Sequence, residues 1–205
     1  MRGHPIAHSP DRRAKLVGLS SGAIVLLQTA LTAPSIQRIA LYEPPLSTNG
    51  SSPTAWLPRF DDEIARGKLA DALVTFLRGL QASRAFELLP RFVLVPVVSL
   101  SMKSETKRLQ EGDVSLQAIL PTVHYDVQLV IETENKLDTF RPISAEVLLL
   151  GGSKSQSFLR FALDNLTSAL PRAQRVEFKG LDHLGADNSG KPENIASELR
   201  RFFAA

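Results

Sequence analysis

Apolar positions along the chain fall into two kinds of pattern. Three short, nearly unbroken apolar runs stand at residues 14–19 (AKLVGL), 38–42 (RIALY) and 145–150 (AEVLLL), and a fourth segment, 175–178 (RVEF), alternates charged and apolar residues. Gly, Pro or Ser stand close after each, which predicts three buried strands and a further short one. Between and after them apolar residues recur at helical spacing. Residues 22–33 form one such stretch, closed by Pro34. Residues 156–170 form another, with Phe158, Leu159, Ala162, Leu163 and Leu166 on one side. A last helix opens at Pro192, where a missing N–H costs nothing. Strand, helix, strand at this spacing is a βαβ unit and predicts parallel strands. The alternation is interrupted between the second and third strands. Residues 47–58 read as a Ser- and Pro-rich loop, and helices are expected over 61–80, from about 85 with breaks at Pro90 and Pro96, and over 116–135. The organisation expected is an irregular leader at 1–13, a core at 14–46 and 141–205, and a helical insertion at 47–140.

Composition narrows the chemistry. The 205 residues include no cysteine, which excludes a disulfide scaffold, a thiol nucleophile and a thiolate metal site. Histidines stand far apart at positions 4, 8, 124 and 183, so no metal cluster and no cofactor is expected. The net charge of +3 comes from scattered basic residues and points to no nucleic-acid partner. Arg12, Arg13 and Lys15 precede an apolar stretch in the order of a signal peptide, but Gly18, Ser20, Ser21 and Gly22 interrupt it early. The apolar run at 92–102 is too short to span a bilayer and contains Pro96. A cytoplasmic protein without membrane association is the expectation.

The most specific motif is Gly18-Leu19-Ser20-Ser21-Gly22, which matches G-x-S-x-G between an expected strand and an expected helix. Small residues around the serine permit a sharp turn that lifts the Ser20 hydroxyl clear of the sheet. The Ser21 N–H then points where an oxyanion would form, at the positive end of the helix. The plainer alternative is a strand–helix turn capped by Ser20 or Ser21. A serine nucleophile needs a base and an orienting acid. His183 follows the last expected strand. Glu43 ends the second one and is followed by Pro44 and Pro45, whereas the loop at 151–156 (GGSKSQ) carries no carboxylate. Glu43 could equally serve a structural ion pair. Asp182 reads as a loop-former and His124 as a helix histidine, while His4 and His8 fall in the leader.

Taken together, stretches 15–23, 38–45, 147–155 and 175–183 resemble the α/β-hydrolase superfamily, in particular small capped bacterial and fungal hydrolases. The resemblance implies a partial α/β-hydrolase fold with about four parallel strands in sequential order, and a helical cap formed by the insertion. It implies Ser20 as nucleophile, His183 as base and Glu43 as acid, the last in a position that some haloalkane dehalogenases use. Ser21 would supply an oxyanion donor. A serine at the elbow implies cleavage of an ester, thioester or lactone of a small, apolar acyl substrate, such as occurs in secondary metabolism. The chain departs from the family in one respect. The elbow normally follows four strands, and no HGGG-like segment for a second oxyanion donor is present. This leaves a second reading, a non-catalytic relic that acts as a binding or structural protein. It also predicts an exposed sheet edge through which the chain could self-associate.

Overall fold

The computed structural model describes residues 14–170, 172–188 and 190–204, so the leader lies outside the described residues. All four expected strands form: β1 (Ala14–Leu19), β2 (Ile36–Tyr42), β3 (Glu146–Gly152) and β4 (Ala173–Phe178). They make one parallel sheet in the order β1-β2-β3-β4. Parallel neighbours require crossover connections. Helix α1 (Ser21–Thr32) joins β1 to β2, α8 (Ser157–Ala169) joins β3 to β4, and α9 (Pro192–Ala204) follows β4.

The strand alternation explains the unbroken apolar runs. Ile39, Leu41, Val147 and Leu149 pack with Ile24 and Leu27 of α1 and Leu163 and Leu166 of α8. Their chain neighbours Ala40, Tyr42, Leu148 and Leu150 pack on the opposite face with Ile195 and Phe202 of α9. Both faces of β2 and β3 are therefore covered from Ile39 and Val147 onward, and the polar residues Gln37, Arg38 and Glu146 fall at the opposite strand ends. Each large apolar side chain so buried contributes about 1.5–3 kcal/mol. β1 is different. Among the described residues it pairs only with β2, and Leu16, Val17 and Leu19 are 38%, 44% and 49% exposed. The end of α9 is tied to this side of the sheet. Phe202 O accepts from Arg38 Nη1 at 2.9 Å and Phe203 O accepts from Lys15 Nζ, so two cations meet the negative end of the helix.

Every element described between β2 and β3 is helical: α2 (Leu57–Ala65), α3 (Leu69–Gly79), α4 (Arg84–Leu88), α5 (Arg91–Thr106), α6 (Leu116–Ile119) and α7 (Val123–Glu132), with short 3-10 turns. These helices have their own apolar cluster, which includes Phe60, Leu73, Val98 and Leu120. Three expectations need correction. The stretch at 61–80 is two helices, because Gly67 takes φ +69° and breaks the run. The expected break at Pro96 does not occur. α5 passes through it, held by buried Leu94, Val98 and Met102, so packing outweighs the lost backbone bond. The stretch at 116–135 is interrupted at Leu120–Thr122, where Pro121 favours a tighter turn between α6 and α7.

Candidate active site

β1 stops at Leu19 and α1 starts at Ser21, so Ser20 alone makes the turn. Its backbone takes φ 51° and ψ −126°, a conformation that costs a non-glycine residue about 1–3 kcal/mol. Two hydrogen bonds hold it there: Ser20 N donates to Tyr42 O at 2.8 Å, and Ala23 N donates to Ser20 O at 2.9 Å. The Ser21 N–H is the first of α1 and has no acceptor within the helix. The two motif glycines are not equivalent. A Cβ on Gly18 would lie 2.7 Å from Ala23 Cα and 2.8 Å from Gly22 O, so strand and helix approach closely only because it is absent. A Cβ on Gly22 would meet nothing within 4 Å. The turn thus depends on the first glycine and not the second, which narrows the sequence reading of both flanking residues.

His183 opens a 3-10 turn, His183–Ala186, directly after β4 and its loop. The preceding residue fixes the approach: Asp182 accepts from Leu184 N at 3.0 Å, and its carbonyl accepts from Tyr42 OH at 2.7 Å. Burial, followed by the nearby carboxylates of Glu43 and Asp182, pushes the Tyr42 phenol well above its ordinary range, so the hydroxyl stays a donor. Glu43 lies just beyond β2, fully buried, with φ 46°. Its Oε2 is 2.7 Å from His183 Nδ1, and its Oε1 accepts from Gly152 N at 2.7 Å and from Ser155 Oγ. Three donors therefore satisfy one buried carboxylate. In the neutral imidazole the carboxylate favours the tautomer with the proton on Nδ1, which gives Nε2 the lone pair. Glycines make the room: a Cβ on Gly152 would stand 2.2 Å from Leu181 O, and one on Gly151 3.0 Å from Glu43 Oε1.

Ser20, Ser21 and His183 line one cavity of about 300 Å³, walled mainly by apolar groups such as Trp56, Phe76, Val127 and Phe158. Among the described residues no hydrogen bond joins Ser20 Oγ to the imidazole, whose bond runs to Glu43. Glu43 and His183 are thus brought into contact, and Ser20 and Ser21 share their cavity.

Two residues escaped the sequence reading. Ser155 sits in the loop that lacks a carboxylate and serves the carboxylate of the neighbouring strand instead. Asp126 of α7 accepts from Ser21 Oγ at 2.7 Å, joining the helical segment to the elbow across 105 positions, a separation no local pattern could reveal. His124 lies elsewhere, its Nδ1 3.0 Å from Asp61. His4 and His8 are outside the described residues. Among the described residues no group of His, Asp or Glu is placed to hold a metal, and no helix is long and apolar enough to cross a membrane.

No protein-family profile and no curated protein matches the chain. Solved structures do. An α/β-hydrolase from Sphaerobacter thermophilus aligns at TM-score 0.66 and 23% identity, covering 94% of this chain and 68% of that one. A carboxylesterase from the thaumarchaeon Nitrososphaera gargenis aligns at 0.60 and 20%, covering 93% and 64%. The 2-hydroxy-6-oxo-6-phenylhexa-2,4-dienoate hydrolase of a Rhodococcus species aligns at 0.58 and 16%, covering 94% and 64%. The chain spans about two thirds of the length of these structures. With four parallel strands in sequential order, a serine alone at the turn from β1 into α1 and these neighbours, the chain has the α/β-hydrolase fold in partial form.

Proposed function

We propose that the chain is a serine hydrolase acting on an ester, thioester or lactone of a small, apolar acyl substrate. The observation that carries this reading is the 2.7 Å contact between His183 Nδ1 and the buried Glu43, with His183 and the strained Ser20 lining one cavity. Ser20 Oγ attacks the acyl carbonyl carbon while His183 Nε2 takes the hydroxyl proton. Glu43 holds the imidazolium through Nδ1–H, and the Ser21 N–H donates to the oxyanion. His183 then returns the proton to the leaving oxygen or sulfur, and water frees the acyl group by the same steps in reverse roles. The helical segment at 47–140 acts as the cap over the core at 14–46 and 141–205, since Trp56, Phe76 and Val127 supply cavity walls from it.

A fluorophosphonate probe tests the reading. The folded protein becomes labelled, and both Ser20→Ala and His183→Ala lose the label. Absence of labelling in folded protein overturns the reading in favour of a non-catalytic role.

A further inference from the structure

The cavity beside Ser20 also carries information about the acyl group it would hold. Among its lining residues there is no lysine and no arginine, whereas Asp126 and Asp182 are both among them. A substrate carboxylate entering it would gain no cation and would meet negative charge at the elbow, where Asp126 holds Ser21 Oγ. Most polar groups in the wall are already engaged. Ser52 Oγ donates to Pro45 O, Trp56 Nε1 donates to Pro53 O at 2.8 Å, and Asp182 caps the turn that carries His183.

Gln156 differs. It lines the same cavity, and its Oε1 is buried without a hydrogen-bond partner. It stands at the position before α8, where a side chain could cap the helix, but it makes no cap bond. A buried acceptor left unsatisfied is costly and rare, and it calls for an explanation in terms of function. The terminal amide turns about a soft torsion, so a donor inside the cavity can reach it. A hydroxyl fits best, because it can donate to the oxygen of the amide or accept from its nitrogen.

We infer that this cavity selects an uncharged, mainly apolar acyl chain bearing one hydroxyl, which Gln156 receives, and that it rejects chains bearing a carboxylate. The inference deepens the hydrolase reading and rests on it for the word acyl, but its test does not need turnover. Trp56 is the one tryptophan of the chain and lines the cavity, so its fluorescence reports occupancy. Methyl ketones of graded chain length, each plain, hydroxyl-terminated and carboxyl-terminated, are titrated against wild type, Gln156→Leu and Asp126→Asn. The expected result is that, at one chain length, the hydroxyl form binds about 10-fold tighter than the plain form, the size of one hydrogen bond. The carboxylate form binds worst at every length. The hydroxyl-to-plain ratio falls to near unity in Gln156→Leu, and the carboxylate penalty shrinks in Asp126→Asn. Equal binding of hydroxyl and plain forms at all lengths, a ratio that survives Gln156→Leu, or a carboxylate form that binds as well as the plain one each overturns the inference. Binding in the expected order without fluorophosphonate labelling would overturn the hydrolase reading and leave the cavity's selectivity standing.

Discussion

At the scale of single residues, the site depends on how Glu43 and the elbow glycines are held. Glu43 is a buried carboxylate that accepts from three donors, so a change of one atom is enough to disturb it. In Glu43→Gln the side chain keeps its shape and can still accept from Gly152 and Ser155. It then presents an NH₂ group to His183 Nδ1, which forces the proton onto Nε2 and removes the proposed base. A fall in kcat of about 10³–10⁴-fold with KM little changed is expected. Steady-state kinetics on a p-nitrophenyl ester, with circular dichroism to show folding, checks this. The glycines of the elbow give the second prediction. Gly18→Ala forces a Cβ against backbone atoms and should cost about 1–3 kcal/mol of stability. Gly22→Ala meets open space in a helical position and should stabilise by up to about 1 kcal/mol. Denaturant midpoints shifting in the same direction for both substitutions would contradict this account of the turn.

At the scale of elements, the helical segment is joined by an ion-pair cluster that no periodicity announces. Glu63 of α2 is buried and takes Arg91 Nη2 of α5 at 2.8 Å, Arg59 Nε at 2.9 Å and the hydroxyl of Thr75 on α3. Removing Arg91 leaves the buried Glu63 with only the largely exposed Arg59 and the Thr75 hydroxyl. Arg91→Met should therefore destabilise the protein by about 1–3 kcal/mol, as read from urea unfolding. The sheet itself was legible in the sequence for a physical reason. β2 and β3 are covered on both faces from Ile39 and Val147 onward, so the runs 39–42 and 147–150 are apolar without exception, and the elbow motif marks the turn between β1 and α1. What escaped depends on tertiary contact. Pro96 sits inside α5 because Leu94, Val98 and Met102 anchor the helix on either side of it. Gly67 breaks a run whose spacing alone looks continuous. In the site, the order of Ser20, Glu43 and His183 could be read from the chain, but the Ser155 and Asp126 contacts join residues 112 and 105 positions apart. Such pairs exist only once the sheet has assembled.

At the scale of the whole molecule, two apolar clusters cover the faces of the sheet and a third lies within the helices between β2 and β3. Cooperative units of this kind open separately. Native-state amide exchange should show β2 and β3 as the slowest region, with α2, α3 and α5 exchanging together at a lower free energy. Uniform exchange across both would refute the division. The edge position of β1 has a further consequence for how the site comes apart. Ser20 follows β1, an edge whose Leu16, Val17 and Leu19 stay exposed, whereas Glu43 follows the interior β2 and His183 follows β4, an edge whose Val176 and Phe178 pack into the cluster on the sheet face. The two halves of the proposed triad thus differ in how much packing must be lost to release them. Under mild denaturant, the serine arm should detach while the histidine–glutamate pair is still intact, so that inactivation runs ahead of unfolding and reverses without refolding of the interior strands.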